Sequence, residues 1–147
     1  MSNARYNLFP SKPAFYAWGR ASTTTISADT VFVFSNTTLN VDGAYNTSNG
    51  RFTCPQDGNY FFTSAVRLDN AVTSYWRIRI IKNGSAVYST PHSIYDLGDV
   101  WDPSYFSLTT SGVIPLQEND YVEVRIDRNT GSANLHNESS FSGFLVS

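Results

Sequence analysis

Apolar and polar residues alternate along much of this chain with the period of two that a half-buried strand requires, and helical spacing is hard to find in it. In Trp76-Arg77-Ile78-Arg79-Ile80 a strand sets Trp76, Ile78 and Ile80 on one face and both arginines on the other. Tyr121-Val122-Glu123-Val124-Arg125-Ile126-Asp127 repeats the device, with Val122, Val124 and Ile126 inward. Turn chemistry separates such runs: Asp42-Gly43, Asn49-Gly50, Asp57-Gly58, Asn83-Gly84 and Glu118-Asn119-Asp120 all fall between apolar segments. Asn83-Gly84, between Arg77-Lys82 and Ala86-Tyr88, predicts a hairpin, and the Asp57-Gly58 turn predicts a positive φ at Gly58. The pattern yields about eight to ten short strands, hence an all-β sandwich or jelly roll.

Three segments depart from the one-wet-face rule. Around Ala14-Phe15-Tyr16-Ala17-Trp18, Tyr60-Phe61-Phe62 and Phe141-Ser142-Gly143-Phe144-Leu145-Val146, large apolar side chains occupy both alternating sets of positions. A strand with two apolar faces is covered on both sides. One sandwich core covers a single face, so the other is expected to meet another subunit. Phe15, Tyr16, Phe61, Phe141 and Phe144 are therefore the candidates for a subunit interface, with the inward and outward members of Phe15/Tyr16 and of Phe141/Phe144 left open.

Composition sharpens this. Of 147 residues, 15% are aromatic and only 15% charged, against about a quarter charged in an ordinary domain. The net charge is −2, and Lys12 and Lys82 are the lysines, so no broad positive field gathers phosphates and nucleic acid is excluded as a partner. No apolar run approaches the roughly 20 residues of a membrane helix. Residues Met1 to Lys12, punctuated by Pro10 and Pro13, read as an extended arm before a domain of residues 13–147. The polar start Met1-Ser2-Asn3-Ala4-Arg5 lacks the apolar stretch of a secretory signal. Cys54 is the single cysteine, expected as a small buried residue.

From Phe34 to Phe62 runs a spaced constellation: Phe34, Asn40, Tyr45, Phe52, Gly58, Tyr60 and Phe62. It resembles the signature of the globular head domain of complement component C1q, and its one departure is Ser64, where the pattern has a final aromatic. Pro13-Ala14-Phe15 through Trp18, Gly50-Arg51-Phe52-Thr53 with Pro55, and Ser140-Phe141-Ser142-Gly143-Phe144-Leu145 extend the likeness to about Pro13–Val146. The resemblance implies a ten-stranded jelly roll related to the tumour-necrosis-factor fold, assembled as a homotrimer whose inner sheet, with the first, third and last strands, packs around the axis. Independently of it, Tyr60 and Phe62 project from one face of a strand, and Asn40 is suited to a local hydrogen bond that fixes the connection before Tyr45.

Materials for catalysis are few. His92 and His136 sit in polar contexts without a nucleophile elbow or metal-ligand spacing, and both are expected in loops; no enzyme is expected. Asp96, Asp99 and Asp102 surround Trp101 in a segment that offers a calcium loop, although the spacing is not that of an EF-hand and a solvated loop is the expected reading; no cofactor is otherwise expected. Arg77 and Arg79, with Arg125 on a neighbouring strand, offer an anion site, with salt bridges to Glu123 and Asp127 the expected alternative. Asn36, Asn46, Asn83 and Asn137 fit the glycosylation pattern, which arises freely in so Asn-, Ser- and Thr-rich a chain.

Two functional expectations follow. The first is a trimeric, non-enzymatic structural protein on a virion, a capsid decoration or cement protein tied down by its arm, because the family's animal members usually carry a signal peptide and often a collagen stalk. The alternative is a trimeric recognition module, a fibre tip or a secreted extracellular protein that holds carbohydrate or protein ligands through Tyr95, Trp101 and Tyr105.

Overall fold

Side chains that alternate between buried and exposed build the framework of the computed structural model, which describes residues 11–20, 24–26, 29–71, 75–87, 92–94, 105–128 and 131–147. The strands are β1 (Ala14–Trp18), β2 (Thr24–Ile26), β3 (Thr30–Val31), β4 (Asn36–Asn40), β5 (Tyr45–Asn46), β6 (Arg51–Thr53), β7 (Gly58–Asp69), β8 (Trp76–Lys82), β9 (Ala86–Val87), β10 (His92–Ile94), β11 (Tyr105–Leu116), β12 (Tyr121–Arg128), β13 (Ala133–Leu135) and β14 (Ser140–Leu145). These fourteen segments exceed the expected eight to ten because pieces such as β3 and β5 are two residues long. A two-residue bridge has no periodicity to read. Of the expected arm, Ser11 and Lys12 are among the described residues.

Two sheets of seven strands face one another. The first runs β2-β13-β7-β14-β1-β4, with β11 on the free edge of β7; the second runs β10-β8-β12-β6-β5, with β3 on β12 and β9 on β8. Their pairings are antiparallel throughout, with β7 and β11 in register from Gly58↔Leu116 to Asp69↔Tyr105. The expected hairpin forms, pairing Lys82 with Ala86 across a turn in which Asn83 and Gly84 both take positive φ. His92, expected in a loop, opens β10 opposite Ile78.

Between the sheets lies an aromatic core. The Phe15 ring stacks on Tyr45 at 5.1 Å and Phe52 at 5.0 Å and meets Phe141 edge-on at 4.9 Å, while Phe52 meets Phe62 at 5.4 Å. Offset and edge-to-face rings add to the area they bury. Phe34, Tyr45, Phe52, Tyr60 and Phe62 of the spaced constellation are all buried here, with Trp76, Ile78 and Ile80 of the alternating strand. The apolar run after β3 does not continue as strand, yet Phe32 and Phe34 are fully buried and the Phe32 N–H donates to the Val124 carbonyl at 2.8 Å.

Asn40 makes the local hydrogen bonds expected of it, at the connection from β4 in the first sheet to β5 in the second. Its Nδ2 donates to the Tyr45 carbonyl and its Oδ1 accepts from the Tyr45 N–H, both at 2.9 Å. Gly58 corrects the turn argument: it does not take positive φ, unlike Gly43, Gly50 and Gly84. A Cβ there would lie 2.5 Å from Leu145 Cδ1 and 2.8 Å from the Ser147 carbonyl, so close approach of the chain end, not backbone twist, demands glycine. Ser64, in place of the pattern's aromatic, is buried and satisfied: its hydroxyl donates to the Ser140 carbonyl at 2.9 Å. Cys54 is buried, as expected of it.

Candidate functional site

The outward face of the first sheet is the candidate site, and strand register builds it row by row. One row joins Ala14, Phe144, Phe61 and Val113; the next joins Leu39, Tyr16, Ser142, Thr63 and Ser111; a third joins Trp18, Ser140, Ala65 and Thr109. Carboxylates and cations are absent from all three rows. Tyr16, Trp18, Leu39, Val113 and Phe144 are each more than 40% exposed. They are held in place: the Phe61 and Phe144 rings lie 5.5 Å apart, and Trp18 Nε1 donates to Thr38 Oγ1 at 3.0 Å. A groove of about 530 Å³ opens between Tyr16, Trp18, Thr38, Ala65 and the segment Asn137 to Ser140.

Charge begins where β7 leaves this patch. Arg67 donates to Asp69 at 2.8 Å and also to Glu138, and its guanidinium lies 4.8 Å over the Tyr105 ring. The hydrogen bond with Asp69, then that with Glu138, raises the Arg67 pKa further above its ordinary value. His136 Nδ1 accepts from the Glu138 N–H at 3.1 Å while Nε2 stands 3.6 Å from Asp69. The face therefore runs from apolar at the Phe61 end to charged at the Arg67 end.

Structure separates the interface candidates. Phe15 and Phe141 point into the core, 2% and 0% exposed, and cannot meet another subunit; their neighbours Tyr16 and Phe144 point outward. The reason is geometric, because Gly143 presses its backbone against the Phe62 and Phe15 rings and thereby fixes the phase of β14. Phe61 lies outward, half-covered by Phe144. Tyr105 is outward and 65% exposed, under Arg67; the other two ligand-contact candidates, Tyr95 and Trp101, and the acidic residues Asp96, Asp99 and Asp102 lie outside the described residues. Trp18 belongs to the two-faced first segment but not to the interface candidates, and Leu39 and Val113 are not singled out by the sequence. Trp18 is two residues from Tyr16 and so in phase with it, and Val113 continues the alternation of Tyr105, Ser107, Thr109 and Ser111; Leu39, in the polar strand Asn36–Asn40, gave no signal.

The second sheet presents a different outward face. Glu123 and Asp127 lie flat on it, 0% and 2% exposed at their side chains, beneath four arginines. Glu123 accepts from Arg51 Nε at 3.0 Å and Arg125 Nε at 2.9 Å; Asp127 accepts from Arg77 Nε at 2.7 Å and Arg79 at 2.5 Å. The salt bridges expected of Arg77, Arg79 and Arg125 are thus formed, and Arg51 joins them from β6.

The fold recurs in known proteins. The C1q domain profile matches residues 14–146. Complement C1q tumor necrosis factor-related protein 5 of Rattus norvegicus is 30% identical over 140 residues, which cover 93% of this chain and 54% of that protein. The chain thus spans about half the length of this relative. The globular domain of zebrafish complement 1qA superposes with a TM-score of 0.62 at 20% identity, over 92% of this chain and 98% of that one. Murine APRIL, in a crystal structure at pH 8.5, superposes with a TM-score of 0.65 at 14% identity, over 92% and 100% of the respective chains. At such identities the superpositions show the fold alone.

Proposed function

The chain belongs to the C1q domain family, and from that premise we propose that it is a non-catalytic recognition module, assembled as a homotrimer through the outward face of its first sheet. The observation that carries this reading is the uncharged patch of Tyr16, Trp18, Leu39, Phe61, Val113 and Phe144 on strands whose other face fills the core. Left in water such a patch is a liability, and covering it costs no ion its hydration. In a closed threefold ring each copy offers this face to the next, so no patch is left over. The charged end, with Arg67, Asp69 and Glu138, would fix how far one copy slides along another, because misplacing paired ions is costly.

The family supports recognition over chemistry, since C1q- and tumour-necrosis-factor-like domains are generally non-enzymatic modules. Protein or carbohydrate ligands in an extracellular setting fit that family as it occurs in complement- and tumour-necrosis-factor-related proteins. The expected decoration of a virion gains nothing from these relatives, none of which is a capsid component. Light scattering at micromolar concentration tests the assembly: the expected mass is three times the 16.4 kDa of one chain. A monomeric mass overturns the reading.

A further inference from the structure

His136 closes a ring of hydrogen bonds at the charged end of the first sheet's outward face. Its N–H donates to the Arg67 carbonyl at 3.0 Å, the Arg67 N–H to Ser139 Oγ at 3.0 Å, and that hydroxyl back to the His136 carbonyl at 2.9 Å. Gly19, just after β1, donates to the Ser139 carbonyl at 2.9 Å. The turn from His136 to Ser139 is thereby tied both to β7 and to the end of β1. These bonds join backbone and hydroxyl groups, which neither gain nor lose a proton near neutral pH. One further bond differs from them: the Glu138 N–H donates to His136 Nδ1 at 3.1 Å. An imidazole nitrogen that accepts an N–H must offer a lone pair, so the neutral ring carries its proton on Nε2. Nε2 stands 3.6 Å from Asp69, and the side chain is 24% exposed, within reach of protons from solvent.

We propose that His136 is a proton-operated catch on the groove beside Trp18. Acid places a proton on Nδ1, the lone pair that holds the Glu138 N–H, and two N–H groups then face each other where one bond had been. The charge so created has a partner waiting. Arg67 alone serves two carboxylates, Asp69 and Glu138, which leaves one negative charge unmatched. A protonated imidazole matches it and is drawn towards Asp69. The charged and titratable groups around the ring are Arg67 and Asp69 of β7, Glu138 of its own turn and Tyr105 of β11, which lies under Arg67. Guanidinium, carboxyl and phenol groups ordinarily change charge outside about pH 5 to 8, the range in which imidazole does. Asn137, Glu138 and Ser139 form one wall of the groove, and Tyr16 and Trp18 line its other side. Losing the Glu138 bond loosens that wall without freeing it, because the bonds through Ser139 and Arg67 remain. The catch acts on the face proposed for assembly but does not rest on the trimer, since every group in it belongs to one chain.

NMR of the unaltered full chain, titrated from about pH 8 to about pH 5, tests it. At the upper end the nitrogen signals of the His136 ring should be those of the Nε2–H form. As the ring takes up its proton, the Glu138 amide proton should move to higher field, as an amide does on losing its acceptor. The indole N–H signal of Trp18, bonded to Thr38 at the groove, should move with the same midpoint. Exchange of the Glu138 amide with solvent, relative to the intrinsic rate at each pH, should rise about tenfold, as loss of one hydrogen bond gives. His136→Asn offers an acceptor near the place of Nδ1 that takes up no proton, so both signals should hold still across the range. An Nδ1–H form at the upper end, a Glu138 amide or Trp18 indole that does not follow the imidazole, or a His136→Asn chain that titrates like its parent would each overturn the proposal. Tautomer and amide are read on the parent protein, so a variant that failed to fold would leave the test intact.

Discussion

The two outward faces of this sandwich are built on the same pleat and solve opposite problems. On the first sheet, the positions that alternate with the core carry Tyr16, Phe61, Phe144, Thr63, Ala65 and Ser142, side chains that lose little on leaving water. On the second, the equivalent positions carry Arg77, Arg79, Glu123, Arg125 and Asp127, which are paired within the chain. Burying the first face in an assembly costs no charge its hydration; burying the second would strip water from four guanidiniums. The shortage of charge in the whole sequence is therefore not spread evenly. Charge is withdrawn from one face and retained on the other, so the two faces of the sandwich meet their surroundings differently.

The strongest way to break this contrast is to put charge where there is none. Tyr16→Asp with Phe144→Asp places two carboxylates on the uncharged face of each copy, at positions exposed in the single chain. A truncated aromatic at an interface centre costs about 2 kcal/mol or more, and a threefold ring repeats the loss at every contact. The expected outcome is a folded monomer by light scattering, with far-ultraviolet circular dichroism unchanged. A double variant that stays trimeric would show that this face does not hold the copies together.

The converse experiment removes charge from the second sheet. Asp127→Asn leaves Arg77 and Arg79, both on β8, without the carboxylate they share. Losing one partner of a fully buried pair costs about 3–5 kcal/mol, and the partial exposure of both arginines lowers this to about 2–3 kcal/mol. Urea unfolding should show that loss with the assembly mass unchanged. A variant as stable as its parent would mean that solvent alone satisfies these arginines.

Much of this contrast is legible in the sequence. Period two in Trp76 to Ile80 and Tyr121 to Asp127 fixes which side chains share a face, and doubled apolar character in β1 and β14 marks the uncharged side. Phase is what the pattern leaves open. Phe15 and Tyr16 are both aromatic and adjacent, so only the tertiary fit, with Gly143 against the Phe62 and Phe15 rings, shows that Phe15 is inside. Gly58 illustrates another limit: its neighbour Asp57 points to a turn, whereas the chain end packed against it comes from nearly ninety residues away, beyond any local signal. Arg51 is missed for the same reason, since its partner Glu123 is 72 residues distant.

The smallest effect comes from acid, at the loop end of the second sheet. Hydrogen bonds from Lys82, Asn83 and the Gln117 N–H hold the Asp120 carboxyl down to about 2. Its ordinary value is 3.8, so the folded state binds this proton less readily than the unfolded one. A depressed carboxyl contributes stability that is fully present above the unfolded value and is lost as pH falls through the folded one. The window is therefore between about pH 4 and 2. Because the pair lies near the surface the contribution is less than about 1 kcal/mol. Lys82→Gln should flatten the decline of melting temperature across that window by removing the group that most depresses Asp120, while leaving stability at pH 7 slightly lower. The proposed trimer contacts lie on the opposite sheet and should not respond, so a change in assembly mass with Lys82→Gln would mean that the two faces are coupled through the core, and the contrast between them would have to be redrawn.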